Sequence, residues 1–152
     1  MFWARTALGL LGCLVSSGLC ALSLQYGTFF QISGIQLQEG RPVLPVSRGK
    51  YADIRVLDKA TFAFLTTCPS DCLQPSEEGA VSISRFRAAK TQGNMWIADV
   101  EIDQRWLITF LVFRKGNTYR FGIPEEFVFL DEHFQKQVEE MLAKQAADFS
   151  DK

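Results

Sequence analysis

Charge is almost missing from the start of this 152-residue chain: Arg5 is the only charged side chain in its first 38 residues. Other things are scarce too. There is one histidine, His133, so Ser-His-Asp or Cys-His catalysis would hang on that single ring, and no serine stands in a nucleophile-elbow sequence. Enzymatic activity is therefore not the expectation. The 16 Lys and Arg are balanced by 17 Asp and Glu, which leaves no basic field to hold a phosphate backbone and excludes nucleic acid as the expected partner. Cysteine is limited to four, and two of these, Cys13 and Cys20, fall in the uncharged leading stretch.

What is there begins with that stretch. Arg5 precedes an uncharged run from Ala7 to Ile32, and a positive head before an apolar segment is the pattern of a secretory leader. Ala21 and Ser23 flank Leu22 in the small-x-small spacing of a signal-peptidase site. Residues 1–23 are then a signal peptide and the mature chain starts at Leu24. Two alternatives share the same compartment. Ala7 to Leu24 is just long enough for an uncleaved anchor in the inner membrane, although Gly9, Gly12, Gly18 and several serines dilute it. Leu10-Leu11-Gly12-Cys13 also resembles a lipoprotein processing site that would leave Cys13 lipidated. Residues 24–152 form one extracytoplasmic domain of about 129 residues, enough to bury a core unaided.

The body predicts a mainly β fold: an antiparallel sheet or sandwich of about seven strands with one C-terminal α-helix. The candidate strands are Tyr26 to Ile32, Tyr51 to Leu57, Thr61 to Thr66, Val81 to Arg87, Met95 to Ile102, Trp106 to Arg114 and Thr118 to Ile123. Reversals rich in Gly, Pro, Asn and Asp separate them, including Gly40-Arg41-Pro42, Pro69 to Gly79 and Asp103-Gln104-Arg105. The last three strands read as a meander. Trp106 to Phe113 is apolar at both parities, so it is expected in the centre, with both faces covered. Asp131 is the expected N-cap of a helix carrying Phe134, Val138, Met141 and Leu142 on one side. Phe127 to Leu130 either extends that helix or leads into it as an extended segment, and Ala147 to Lys152 is expected to fray.

Three groups of residues are candidates for chemistry. Cys68 and Cys72 are the only cysteines of the body, and in an exported domain they predict one disulfide closing a small loop. Asp99, Glu101 and Asp103 alternate along a strand, the ordinary way to keep a sheet face wet; the sharper alternative is an acidic binding face able to hold calcium or serve sugar hydrolysis. Arg85, Arg87 and Lys90, with Arg114, Lys115 and Arg120, make basic edges that block unwanted strand pairing.

A strand followed by Cys68-Pro69-Ser70-Asp71-Cys72 resembles the copper-chaperone motif of the Sco family. That resemblance implies a copper site of Cys68, Cys72 and the distant His133, since soft thiolates and an imidazole suit the metal. It is confined to the motif and the preceding strand. The family's thioredoxin-like fold alternates helices with strands, which Leu73 to Ile123 does not offer. The favoured expectation is an exported, non-enzymatic accessory or assembly subunit of the bacterial cell envelope, without a cofactor. It would bind an envelope protein or the membrane surface, with possible membrane association through the N-terminal segment. The alternative is a periplasmic copper or thiol-redox carrier using the cysteine pair.

Overall fold

The computed structural model describes residues 21–45, 53–90 and 93–151. Within them the chain forms strands β1 (Ala21–Tyr26), β2 (Phe30–Gln38), β3 (Arg41–Val43) and β4 (Ile54–Val56), then helix α1 (Lys59–Thr66). Strands β5 (Asp71–Gln74), β6 (Val81–Ala88), β7 (Met95–Ile102), β8 (Trp106–Lys115), β9 (Thr118–Gly122) and β10 (Phe127–Phe129) follow, and helix α2 (Glu132–Ser150) closes the chain. The fold is mainly β, with the C-terminal helix as expected.

Two sheets share these strands. In sheet A the order is β10-β2-β1-β5, with β3 also paired to β2; in sheet B it is β4-β8-β7-β6, with β9 also paired to β8. Alternation decides the facing. Leu22, Leu24, Tyr26, Phe30, Ile32 and Ile35 of sheet A point into one core with Trp96, Val100, Ile102, Trp106, Ile108 and Phe110 of sheet B. Aromatic rings join the layers: Phe30 meets Trp106 edge-on at 6.2 Å between centroids, and Phe110 meets Phe127 at 5.8 Å. The helix α2 adds Phe134, Val138, Leu142 and Ala146 to the same core, at the i, i+4 spacing that makes one buried stripe.

Strands β6 to β9 form an antiparallel run, so the meander of the last three predicted strands is present. The central place expected for Trp106 to Arg114 is also found, since β8 lies between β7 on one side and β4 and β9 on the other. Among the described residues no second layer covers its other apolar face. Leu111 and Phe113 there pack with Ala89, Met95 and Ile97 into a small satellite cluster on the outside of sheet B. Gly122 makes room for it, because a Cβ at that position would stand 3.0 Å from the Leu111 side chain.

Several expected elements need correction. Tyr26 to Ile32 is not one strand but the turn of the β1–β2 hairpin. Gly27 adopts φ +51, and Phe29 N–H donates to the Tyr26 carbonyl at 3.1 Å. Thr61 to Thr66 is helical. Thr61 and Leu65 are the positions it buries, one helical turn apart, while Lys59, Ala60 and Ala63 favour helix. The expected reversals at Gly40-Arg41-Pro42 and Pro69 to Gly79 contain β3 and β5. Pro42 is tolerated because β3 lies off the main strand path of sheet A, paired to β2 alone, and β5 runs parallel to β1 with Leu73 opposite Gln25. Phe127 to Leu130 takes the extended alternative, pairing Phe127 with Ile32. The tail does not fray at Ala147: α2 continues to Ser150, and Phe149 meets Phe86 at 5.5 Å. Asp131 is the N-cap as expected, its Oδ1 accepting from the N–H groups of His133 and Phe134.

Residues 1–20, Tyr51 and Ala52 lie outside the described residues. Ala21 to Leu24, read above as the end of the leader or anchor and the start of the mature chain, lie within β1. No helix among the described residues is long and apolar enough to cross a membrane.

Candidate binding face

The cysteine pair is bonded. Cys68 follows α1 and Cys72 lies in β5, with their Cα atoms 5.9 Å apart and the sulfurs joined as a disulfide. It ties the end of the helix to the strand at the edge of sheet A. His133, the third member of the copper alternative, stands in the first turn of α2 with its backbone N–H on Asp131. Among the described residues no group of three His, Cys, Asp or Glu side chains is placed to hold a metal ion.

The acidic row divides. Asp99 and Glu101 fall on the outer face of β7, opposite the inward Trp96, Val100 and Ile102. There Thr109 Oγ1 donates to Asp99 Oδ1 at 2.7 Å, and Arg87 lies 3.9 Å from Asp99 Oδ2. Asp103 sits past the end of β7, in the turn to β8, with the left-handed φ of +51. Its carboxylate gathers four donors from other parts of the chain. Tyr26 Oη donates at 2.6 Å, Ser76 Oγ at 2.7 Å, Ala80 N–H at 2.6 Å and Gly79 N–H at 3.2 Å. Burial pushes the Asp103 carboxyl up, but the hydrogen bonds from Tyr26, Ser76 and the two amides outweigh it and hold the group below its ordinary 3.8. The Tyr26 hydroxyl is raised from 10.0 to about 12, first by burial and then by its bond to the carboxylate. Asp103 is thus a clamp between the sheets and the loop before β6. A cavity of about 420 Å³ beside it is bordered by Ser76, Glu77, Glu78 and Arg105.

A second polar chain runs through the interior. Trp106 Nε1 donates to Gln74 Oε1 at 3.1 Å, and Gln74 Nε2 donates to Thr61 Oγ1 at 2.9 Å. All three residues are buried, so this chain fixes α1, β5 and β8 against one another.

The basic edges are partly as expected. Arg85 and Arg87 lie on β6, an edge strand of sheet B, where long cations discourage another chain from pairing. Together with Arg55, Asp99, Glu101 and Arg120 they make the outside of sheet B charged.

The outside of sheet A was not singled out by any motif, and it differs. The register places Val128 of β10, Gln31 of β2, Gln25 of β1 and Leu73 of β5 in one row across the sheet. Around it stand Ser23, Ser33, Gln36 and Gln38. Among the strand residues of this face, Asp71 and Arg41 alone carry charge. The ends of the row, Leu73 at 56% and Val128 at 55% exposed, are the two most exposed large apolar side chains among the described residues. Gln31 Nε2 donates to Ser23 Oγ at 2.6 Å, so part of the amide array is held in place. A shallow cavity of about 340 Å³ is lined by Ser23, Gln25, Gln31, Asp71, Cys72 and Leu73. The signal available in sequence was the alternation Leu22/Leu24 against Ser23/Gln25, continued by Gln31 and Ser33. Reading Tyr26 to Ile32 as one strand hid it, because the hairpin turn at Gly27 to Phe29 separates Gln25 from Gln31. No family model, curated protein or solved structure matches the chain.

Proposed function

We propose that the domain is an exported, non-enzymatic accessory subunit of the bacterial cell envelope that binds another envelope protein through the outer face of sheet A. The observation that carries this reading is the row Val128–Gln31–Gln25–Leu73, an open sheet surface nearly free of charge with apolar side chains at both ends. Protein interfaces are marked less by overall hydrophobicity than by depletion of charge at their centre. Amides and hydroxyls there satisfy a partner's polar groups without the desolvation cost of a buried ion. The disulfide supports an oxidising compartment.

Gln25→Lys combined with Gln31→Glu places two charges in the middle of the row without touching the core. The account expects that this variant unfolds at the same temperature as the parent but no longer sediments with the envelope fraction. A variant that keeps both its stability and its envelope association rules this face out.

A further inference from the structure

Among the described strands β5 pairs with β1 alone, so it is an edge of sheet A. A strand turns the N–H and C=O groups of successive residues to opposite sides, and the register therefore decides which backbone groups of β5 are in use. Gly27 N–H donates to the Gln74 carbonyl at 2.8 Å, directly after the pair Tyr26 and Gln74. Gln74 and, two residues earlier, Cys72 thus turn their backbone groups towards β1. Asp71 and Leu73 turn theirs away from the sheet. Among the described residues no other backbone group bonds to the N–H or C=O of either.

Other edges are guarded. Strand β6 carries Arg85 and Arg87, breaks its register between Ile83 and Arg85, and has Phe149 of α2 against Phe86; cations, a bulge and a covering element all keep another chain from pairing. Strand β3 contains Pro42, which has no N–H to offer. The four residues Asp71-Cys72-Leu73-Gln74 hold no cation and no proline, and their pairing with β1 runs without a register shift. The strand is also fixed at both ends. The disulfide ties Cys72 to the end of α1, and the buried Gln74 side chain bonds to Thr61 and Trp106. An edge already held extended loses little freedom when another strand joins it.

The geometry points to strand addition: the partner supplies an extended segment that pairs with β5 and places an apolar side chain beside Leu73 on the outer face. The cavity of about 340 Å³ bordered by Gln25, Asp71 and Leu73 leaves room for it. This inference rests on the reading of sheet A as the binding face, and adds that the backbone of β5 captures the partner. A foreign segment fits better than a second copy. Pro69 and Pro75 flank the strand, so a ladder between two β5 strands lacks the donors to extend, whereas a foreign strand brings its own N–H groups.

The test uses the full chain expressed in cells, with sedimentation in the envelope fraction as the readout. Leu73→Pro removes the outward N–H and breaks no bond to β1, a place where a sheet edge accepts proline. Its association is expected to fall about tenfold, with an unchanged unfolding temperature. Leu73→Val, similar in size to proline but keeping the N–H, is expected to associate within about threefold of the parent. If Leu73→Pro does not fold, the α-hydroxy acid of leucine at position 73 replaces the N–H by oxygen alone and carries the same expectation. Unchanged association without the N–H, or an equal loss from Leu73→Val, overturns strand addition. In the same assay, loss of association by Gln25→Lys with Gln31→Glu leaves the binding face standing; a parent that does not associate at all overturns both. A parent dimer that Leu73→Pro converts to monomer in sedimentation equilibrium makes the occupant a second copy and overturns the foreign partner.

Discussion

On their inner sides the two sheets offer the same material, with Leu24, Phe30 and Ile32 of one facing Val100, Trp106 and Ile108 of the other. Their outer sides are built on different principles. Sheet B carries Arg55, Arg85, Arg87, Asp99, Glu101 and Arg120 around a small dry cluster of Met95, Ile97, Leu111 and Phe113. Sheet A carries glutamines and serines between Val128 and Leu73, and among the described residues no apolar cluster packs on that side. The difference teaches which face is finished. Charges of both signs keep the outside of sheet B wet, and its apolar side chains pack with one another. Sheet A keeps its two apolar ends and part of its amide array exposed, the feature on which the proposed binding face rests.

Substitution can break or sharpen this contrast, and the largest effect belongs to the shared core. Phe30→Ala is expected to cost roughly 3–5 kcal/mol in urea unfolding, because a buried ring is replaced by a cavity. Ile97→Ala is expected to cost about 2–3 kcal/mol although it lies on the outside of sheet B, since it is 2% exposed. A cost below about 0.5 kcal/mol for Ile97→Ala would dissolve the distinction between the faces.

The clamp comes next. Asp103→Ala strips Tyr26, Ser76 and two backbone amides of their acceptor and is expected to cost about 2–3 kcal/mol. The pH dependence follows from the two shifted groups. Asp103 has its carboxyl lowered on folding, so its contribution is complete above the ordinary value of 3.8 and is lost as pH falls through the folded value. Tyr26 has its hydroxyl raised to about 12, so its contribution is complete below 10.0 and is lost as pH rises towards 12. Thermal unfolding across pH is expected to show a plateau between these limits. Tyr26→Phe should flatten the alkaline limb, and an unchanged alkaline limb in that variant would show that the hydroxyl does not titrate with folding.

Reduction of Cys68–Cys72 is expected to have a smaller effect, about 2 kcal/mol, the chain-entropy value for so short a loop. It is felt at the β5 edge of sheet A, where Leu73 stands. Smallest of all is Gln25→Ala, expected within about 0.5 kcal/mol, because this side chain is exposed on the open face. A large loss there would mean that the glutamine row serves the fold rather than a partner.

Sequence patterning carried the sheet B half of the molecule. The alternation in Met95 to Ile102, the turn at Asp103-Gln104-Arg105 and the apolar run from Trp106 place β7 and β8 without the structure. The N-cap at Asp131 was equally plain, since capping is a local property. Sheet A was less legible. Its strands β3, β5 and β10 are three or four residues long, too short for periodicity to register, and β5 is held parallel by contacts distant in sequence. Thr61 to Thr66 deceived because threonines and phenylalanines suit strands, and only packing selects the Thr61/Leu65 spacing. The disulfide could be read from the count of cysteines. The clamp could not, because Tyr26 lies 77 positions from Asp103.

The most direct test of the binding account is a photocrosslinking side chain placed at Gln31 on sheet A and, separately, at Arg85 on sheet B in cells expressing the full chain. The account predicts one discrete protein adduct from position 31, suppressed by Gln25→Lys, and none from position 85. Adducts from position 85 with none from position 31 would contradict it.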